Sequence, residues 1–135
     1  MTTPPDLPSD LLADLPDPAE HTFRVTRDDL VAYARASGDH NPIHQDDDVA
    51  RSVGLPGVIA HGMYTLALAA RYVDEWVGEP GRIATIGAKF TKPVVVPPEG
   101  VDVVVTGSRA DDGTVTVDVV CDGVKVLGRC RVTLR

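Results

Sequence analysis

The sequence predicts an α+β domain in which an antiparallel sheet wraps around one long buried helix. Three observations carry this expectation. From about His61 to Val77 the chain is apolar on nearly every side until Arg71, the pattern of a helix surrounded by protein. Beyond Gly81 come four strand-like runs, Ile83 to Phe90, Val101 to Ser108, Thr114 to Cys121 and Val124 to Leu134, with Asp112-Gly113 and Asp122-Gly123 as hairpin signals between them. Helix first and an antiparallel meander afterwards is a segregated order, which marks α+β rather than α/β architecture.

Along the chain, residues 1–21 hold five of the eleven prolines, with Asp6, Asp10, Asp14 and Asp17 among them. They predict an arm, mobile or draped on the surface, ahead of a single domain over 22–135. Alternation in Thr22-Phe23-Arg24-Val25 predicts a short strand. Thr26, with Asp29 three residues on, resembles an N-cap for a helix from about Arg27 to Ser37, whose apolar face carries Leu30, Val31 and Ala34, with Tyr33 a further candidate. Gly38 ends that helix, and Pro42 keeps Asn41 out of helical geometry, so 38–44 is a loop of fixed shape. Asp46-Asp47-Asp48 open a short helix through Arg51, stopped by Gly54. Pro93, Pro97 and Pro98 separate the first two strands of the second half. Cys121 pairs with Val124 across the Asp122-Gly123 turn. Cys130 then lies roughly 20 Å away along the return strand, too far for an intrachain disulfide.

At 135 residues and 14.4 kDa the chain has room for one ordinary core. Its 13 basic and 20 acidic residues give a net charge of −7, and without a basic stripe nucleic acid is not an expected partner. The longest strongly apolar stretch, Val58 to Ala70, contains His61, Tyr64 and Thr65 and is too short for a membrane span. An acidic, proline-rich start does not resemble a signal peptide, so a cytoplasmic protein is expected.

Chemistry concentrates in Ser37-Gly38-Asp39-His40-Asn41-Pro42-Ile43-His44. Asp39 and His44 flank a proline-stiffened loop that can aim a carboxylate and an imidazole at one small volume, as acid-base catalysis requires. The same residues also fit a structural loop, with Asp39 and Asn41 in turn hydrogen bonds and His44 a satisfied core histidine. A metal is disfavoured, because Pro42 forbids the helix that would put His40 and His44 on one face, and Asp46 to Asp48 lack the rest of a calcium loop. A second feature is His61-Gly62-Met63 at the start of the buried helix. First-turn N–H groups there have no internal partners and can polarise a carbonyl oxygen, and Gly62 admits close approach to the main chain. Equally, Gly62 relieves crowding and His61 caps or packs.

Together, Tyr33-x-x-x-Ser37-Gly38-Asp39-x-Asn41-Pro42-Ile43-His44 and His61-Gly62-Met63 resemble the signature of the MaoC-like (R)-specific hydratase and dehydratase family. Phe90-Thr91-Lys92-Pro93-Val94 is similar to its Phe-x-x-Pro-Val segment. Within the family, the chain looks most like the catalytic B subunits of mycobacterial-type (3R)-hydroxyacyl-ACP dehydratases. The resemblance implies a hot-dog fold, acting as a homodimer or as a heterodimer with a related hot-dog subunit. It also implies reversible dehydration of (3R)-3-hydroxyacyl thioesters of coenzyme A or acyl carrier protein, without a cofactor. Asp39 and His44 would be the acid-base pair, the Gly62 N–H the oxyanion donor, and Asn41 a support for the loop. Val58, Met63, Tyr64 and Leu66 are candidate walls for the acyl chain, and Lys89, Lys92 and Arg51 candidate phosphate contacts. The serine that some members carry early in the central helix is missing from Leu66 to Ala70. A non-catalytic acyl-thioester-binding subunit and an acyl-CoA thioesterase are the alternatives that the same fold allows.

Overall fold

A computed structural model describes residues 15–135. Its elements are β1 (His21–Val25), α1 (Arg27–Ser37), a 3-10 turn (Pro42–His44), α2 (Asp47–Ser52), α3 (Gly62–Val77), β2 (Ile83–Phe90), β3 (Val101–Arg109), β4 (Val115–Cys121), β5 (Val124–Lys125) and β6 (Leu127–Leu134). The first two thirds follow from local signals. Thr26 and Asp29 form a reciprocal capping box at the start of α1, and Gly38, at φ +78°, ends the helix by donating its N–H to the Ala34 carbonyl. Asp46 caps α2 by accepting from Asp48 and Val49 N–H.

The strands form one antiparallel sheet in the order β1-β3-β4-β6-β2, with β5 attached to β4. Alternate valines of β3 and β4, among them Val103, Val105, Val117 and Val119, are buried and form one core with Leu68, Ala69, Tyr72 and Val73 of α3. This is the sheet-around-helix arrangement that the sequence predicts.

Three details correct the expected picture. First, β2 is not the neighbour of β3 in a simple meander: it crosses to the far edge and pairs with β6. The proline-rich link 91–100 allows this because it docks on residues 58–60, with Ala60 N–H donating to Val94 O and Val96 N–H to Val58 O. Second, the return strand is not continuous from Val124. The Asp122-Gly123 turn has positive φ at both residues, as a type I′ hairpin requires, and sets Cys121 opposite Val124. That register is lost where the chain bulges around Gly128 and Arg129 (φ +50°), after which β6 rejoins β4 with Val117 opposite Cys130. Third, α3 is buried along Thr65, Leu68, Ala69, Tyr72 and Val73 only, while Gly62, Met63, Ala67 and Arg71 face outward. The sheet covers one side of the helix in the single chain.

The part of the expected N-terminal arm over 1–14 lies outside the described residues. The adjoining stretch is draped across the helix and sheet: Trp76 Nε1 donates to Pro16 O, Tyr72 Oη to Ala19 O, and Arg109 pairs with Asp17. Cys121 and Cys130 are free thiols, and burial pushes Cys130 up to about 11. No helix among the described residues is long and apolar enough to cross a membrane.

Candidate active site

The loop after α1 is built from consecutive side-chain-to-backbone turns. Ser37 Oγ accepts the Asp39 N–H at 3.1 Å, Asp39 Oδ1 accepts the Asn41 N–H at 3.1 Å, and Asn41 Oδ1 accepts the Ile43 N–H at 3.2 Å. Asn41 therefore joins Asp39 to the 3-10 turn that carries His44. His44, 7% exposed, places Nδ1 2.7 Å from the Ile59 carbonyl. A carbonyl only accepts, so Nδ1 carries the hydrogen and Nε2 is left for chemistry.

The segment that receives His44 is itself pinned. Asp47 Oδ1 accepts from Val58 N–H at 2.9 Å and from Arg27 Nη2 at 2.9 Å, and Arg27 Nε donates to Val96 O. The Val58 N–H first, and then the Arg27 guanidinium, hold the Asp47 carboxyl below its usual range. Gly57 is needed for this approach, since a Cβ there would stand 2.9 Å from Asp47 Oδ1.

His61 occupies the N-cap of α3 but makes no capping hydrogen bond. Its ring turns back instead, with Nε2 3.1 Å from the main-chain oxygen of Asp39. That oxygen accepts, so Nε2 bears the hydrogen, and the buried Nδ1 has no hydrogen-bond partner among the described residues. The ring, 2% exposed, stacks on His44 at 3.8 Å between centroids and touches Tyr33 at 4.7 Å. One ligand-type atom from each of Asp39, His44 and His61 lies within 4.8 Å of the others.

This cluster does not suit a metal ion. Imidazole lone pairs lie in their ring planes, and stacked planes inclined by only 24° meet far beyond the about 2.1 Å of a metal–nitrogen bond. It does suit proton exchange between a carboxylate and an imidazole.

A cavity of about 430 Å³ opens onto the cluster, walled by Tyr33, Ser37, Asp39, His61, Gly62, Met63 and Phe90. Three sequence-predicted residues, Asp39, Gly62 and Met63, thus share one wall, and His44 stands against it through the His61 stack. Tyr64 is set back, edge-on to Tyr33 at 5.6 Å, and burial raises its phenol above the ordinary value. Val58 is not on the wall of this cavity: its side chain is fully buried in the core, while its N–H and carbonyl bond to Asp47 and Val96. Leu66 likewise packs against the core. Arg51 is engaged by Asp48 and Pro56 O, while Lys92 lines a second cavity beside the first. Sequence reasoning left the His61 side chain as a cap or packing group and quoted Tyr33 and Ser37 only as parts of the signature, placing none of the three on a cavity wall. The available signal was a histidine at an N-cap, where Ser, Thr, Asp or Asn is the usual choice.

Residues 15–126 match the model of the MaoC like domain. The chain belongs to the MaoC-like domain family. The MaoC-like domain is 39% identical over 83 residues to the 3-hydroxyacyl-thioester dehydratase X of Mycobacterium tuberculosis, covering 62% of this chain and 28% of that protein. It is 40% identical over 58 residues to the peroxisomal enoyl-CoA hydratase 2 of Arabidopsis thaliana, covering 42% and 19% of the two chains. Among solved structures it superposes on a MaoC-like dehydratase with TM-score 0.80 and 33% identity, over 92% of this chain and 41% of that one. It also superposes on the R-hydratase PhaJ1 of Pseudomonas aeruginosa with TM-score 0.71 and 27% identity, over 91% and 84%. The chain therefore spans less than a third of the curated relatives it matches and has the hot-dog fold of its structural neighbours.

Proposed function

We propose that this domain, over residues 22–135, adds water reversibly to trans-2-enoyl thioesters to give (3R)-3-hydroxyacyl thioesters. The carrier is coenzyme A or acyl carrier protein. The observation that carries the reading is the approach of one atom each of Asp39, His44 and His61 to within 4.8 Å of one another, with Asp39 and His61 on the wall of a cavity that also includes Gly62, the first residue of α3.

In the hydration direction the Gly62 N–H, which has no intrahelical partner, donates to the thioester oxygen as it gains charge. Asp39 and His44 hold the water between them. As one of its O–H bonds breaks, its oxygen bonds to C3, the C2=C3 π bond shifts to C2, and a proton is returned to C2. The pair exchanges that proton as a unit, and atoms and charge balance without a cofactor. Asn41 fixes the loop that carries the Asp39 carboxylate, and His61 positions both partners by holding the Asp39 main chain and backing the His44 ring. A preformed donor at Gly62 contributes about 3–4 kcal/mol to such a step.

We further propose that a second hot-dog chain, identical or related, covers the outward face of α3. Support comes from Met63, a large apolar side chain of α3 that is 57% exposed at the rim of the cavity.

The test is loss of enoyl ultraviolet absorbance when the purified chain, alone and with a candidate partner, is given crotonyl-CoA. Asp39→Asn and His44→Gln should each lower kcat by about 10²–10⁴-fold. Full turnover in either variant, or release of free thiol in place of hydration, would reject the assignment.

A further inference from the structure

The Phe-x-x-Pro-Val segment has no part in the chemistry above, yet its phenylalanine stands at the site. Phe90 is the last residue of β2, and its backbone is held by pairing with Leu127 and by the Thr91 N–H to Val126 O bond next to it. Its ring is not part of the core and is half exposed. The ring rests over Gly62: a Cβ built there would lie 3.1–3.3 Å from three ring atoms.

Beyond the ring lies the second cavity, of about 270 Å³. Its walls include Ile59, Ala60, Thr65, Val94, Val126 and Leu127, with Lys92 also on its lining. Gly62 and Phe90 are the residues that the two cavity walls share. Asp39 and His61 line the first cavity, and the second is walled mostly by apolar side chains with Thr65, Thr91 and Lys92 among them, so the ring stands between the place where C3 reacts and a pocket with room for hydrocarbon. At about 430 and 270 Å³, each falls in or below the lower part of the about 300–1,000 Å³ range of ligand sites, whereas joined they reach its upper half.

We propose that Phe90 determines acyl-chain specificity: its ring closes the apolar cavity against short chains and is displaced by long ones, whose tails then occupy that cavity. The inference rests on the thioester-hydratase reading for the place of the reacting carbons. A fixed backbone with a side chain unpacked on its outer face is what such a movable wall requires. Removing the ring opens the cavity permanently, and enlarging it seals the cavity.

The experiment titrates the 135-residue chain and its Phe90→Ala, Phe90→Leu and Phe90→Trp variants with butyryl-CoA and decanoyl-CoA, saturated thioesters that bind without reacting, by calorimetry. Crotonyl-CoA turnover is measured in parallel. The ratio of decanoyl to butyryl affinity should rise about tenfold in Phe90→Ala, the worth of about two further buried methylenes. It should rise less in Phe90→Leu and fall below wild type in Phe90→Trp. An unchanged ratio in both Phe90→Ala and Phe90→Trp, or equal shifts for both ligands, would overturn the proposal. A shifted ratio in a protein that never hydrates crotonyl-CoA would sustain the movable wall and reject the hydratase reading. Turnover with an unshifted ratio would do the reverse.

Discussion

Replacing His61 by leucine separates activity from stability. The substitution removes the Nε2–H bond to the Asp39 carbonyl, a loss of about 1 kcal/mol. It also removes ring contacts with His44 and Tyr33, worth about 0.5–1.5 kcal/mol. Against these losses, it eliminates the buried, unpartnered Nδ1, whose desolvation costs about 1–3 kcal/mol in the native protein. The opposing contributions cancel to within about 1 kcal/mol, so the melting temperature should move by less than about 5 °C. Catalysis has no such compensation. With its main-chain oxygen released, Asp39 keeps only its local bonds to Ser37 and Asn41 and loses the one that ties it to α3, and a displacement of about 1 Å at a catalytic group costs on the order of 100-fold. Circular dichroism melts and crotonyl-CoA hydration measure the two effects. His61→Gln, which keeps an amide N–H near the Nε2 position, should recover part of kcat while leaving KM close to wild type. A destabilisation above about 3 kcal/mol in His61→Leu would show that Nδ1 is paired in the native protein. Activity within about twofold of wild type would show that the ring positions nothing.

Two further outcomes are expected. Gly62→Ala keeps the N–H but adds a methyl group 3.1 Å from the Phe90 ring; it should fold, because the half-exposed ring can yield, and lose thioester turnover, because the methyl group obstructs close approach to the main chain, whereas normal kcat/KM would show that this approach does not need a bare Cα. Asp47 is held low by the Val58 N–H and then by Arg27, so protonation favours the unfolded chain: its contribution is present above the ordinary value of 3.8 and disappears as pH falls through the lower folded value. Urea midpoints measured from neutral to acid pH should therefore fall less steeply in Asp47→Asn than in wild type below about pH 4, and parallel curves would contradict this.

Much of this was legible because it depends on neighbours in sequence. The capping box of Thr26 and Asp29, the left-handed Gly38 and the Asp122-Gly123 turn each fix their geometry within a few residues. The Asp39–His44 loop could be placed for the same reason, since Asn41 and Pro42 close it locally. Other features were set at a distance. The pairing of β2 with β6 depends on the 91–100 link docking on residues 58–60, which no local pattern announces. The bulge at Arg129 places a residue with no turn preference at positive φ, under the demand of two neighbouring strands. Val58 reads as a cavity wall in an apolar run, and only the tertiary packing that buries its side chain shows it to be core. The tautomers of His44 and His61 are decided by carbonyls 15 and 22 residues away.

The short stretch from Val58 to Ala60 acts as a splice between two parts of the molecule. On one side Ile59 donates to Ile43 O and accepts from the His44 ring; on the other, Val58 and Ala60 bond to Val96 and Val94. Opening the 42–44 turn far enough to release the imidazole must break bonds to this splice. The amides of Ile59, Ala60 and Val96 thus belong to one cooperative unit of hydrogen exchange, and the position of the imidazole is tied to this bridged pair of segments rather than to the free motion of a surface loop.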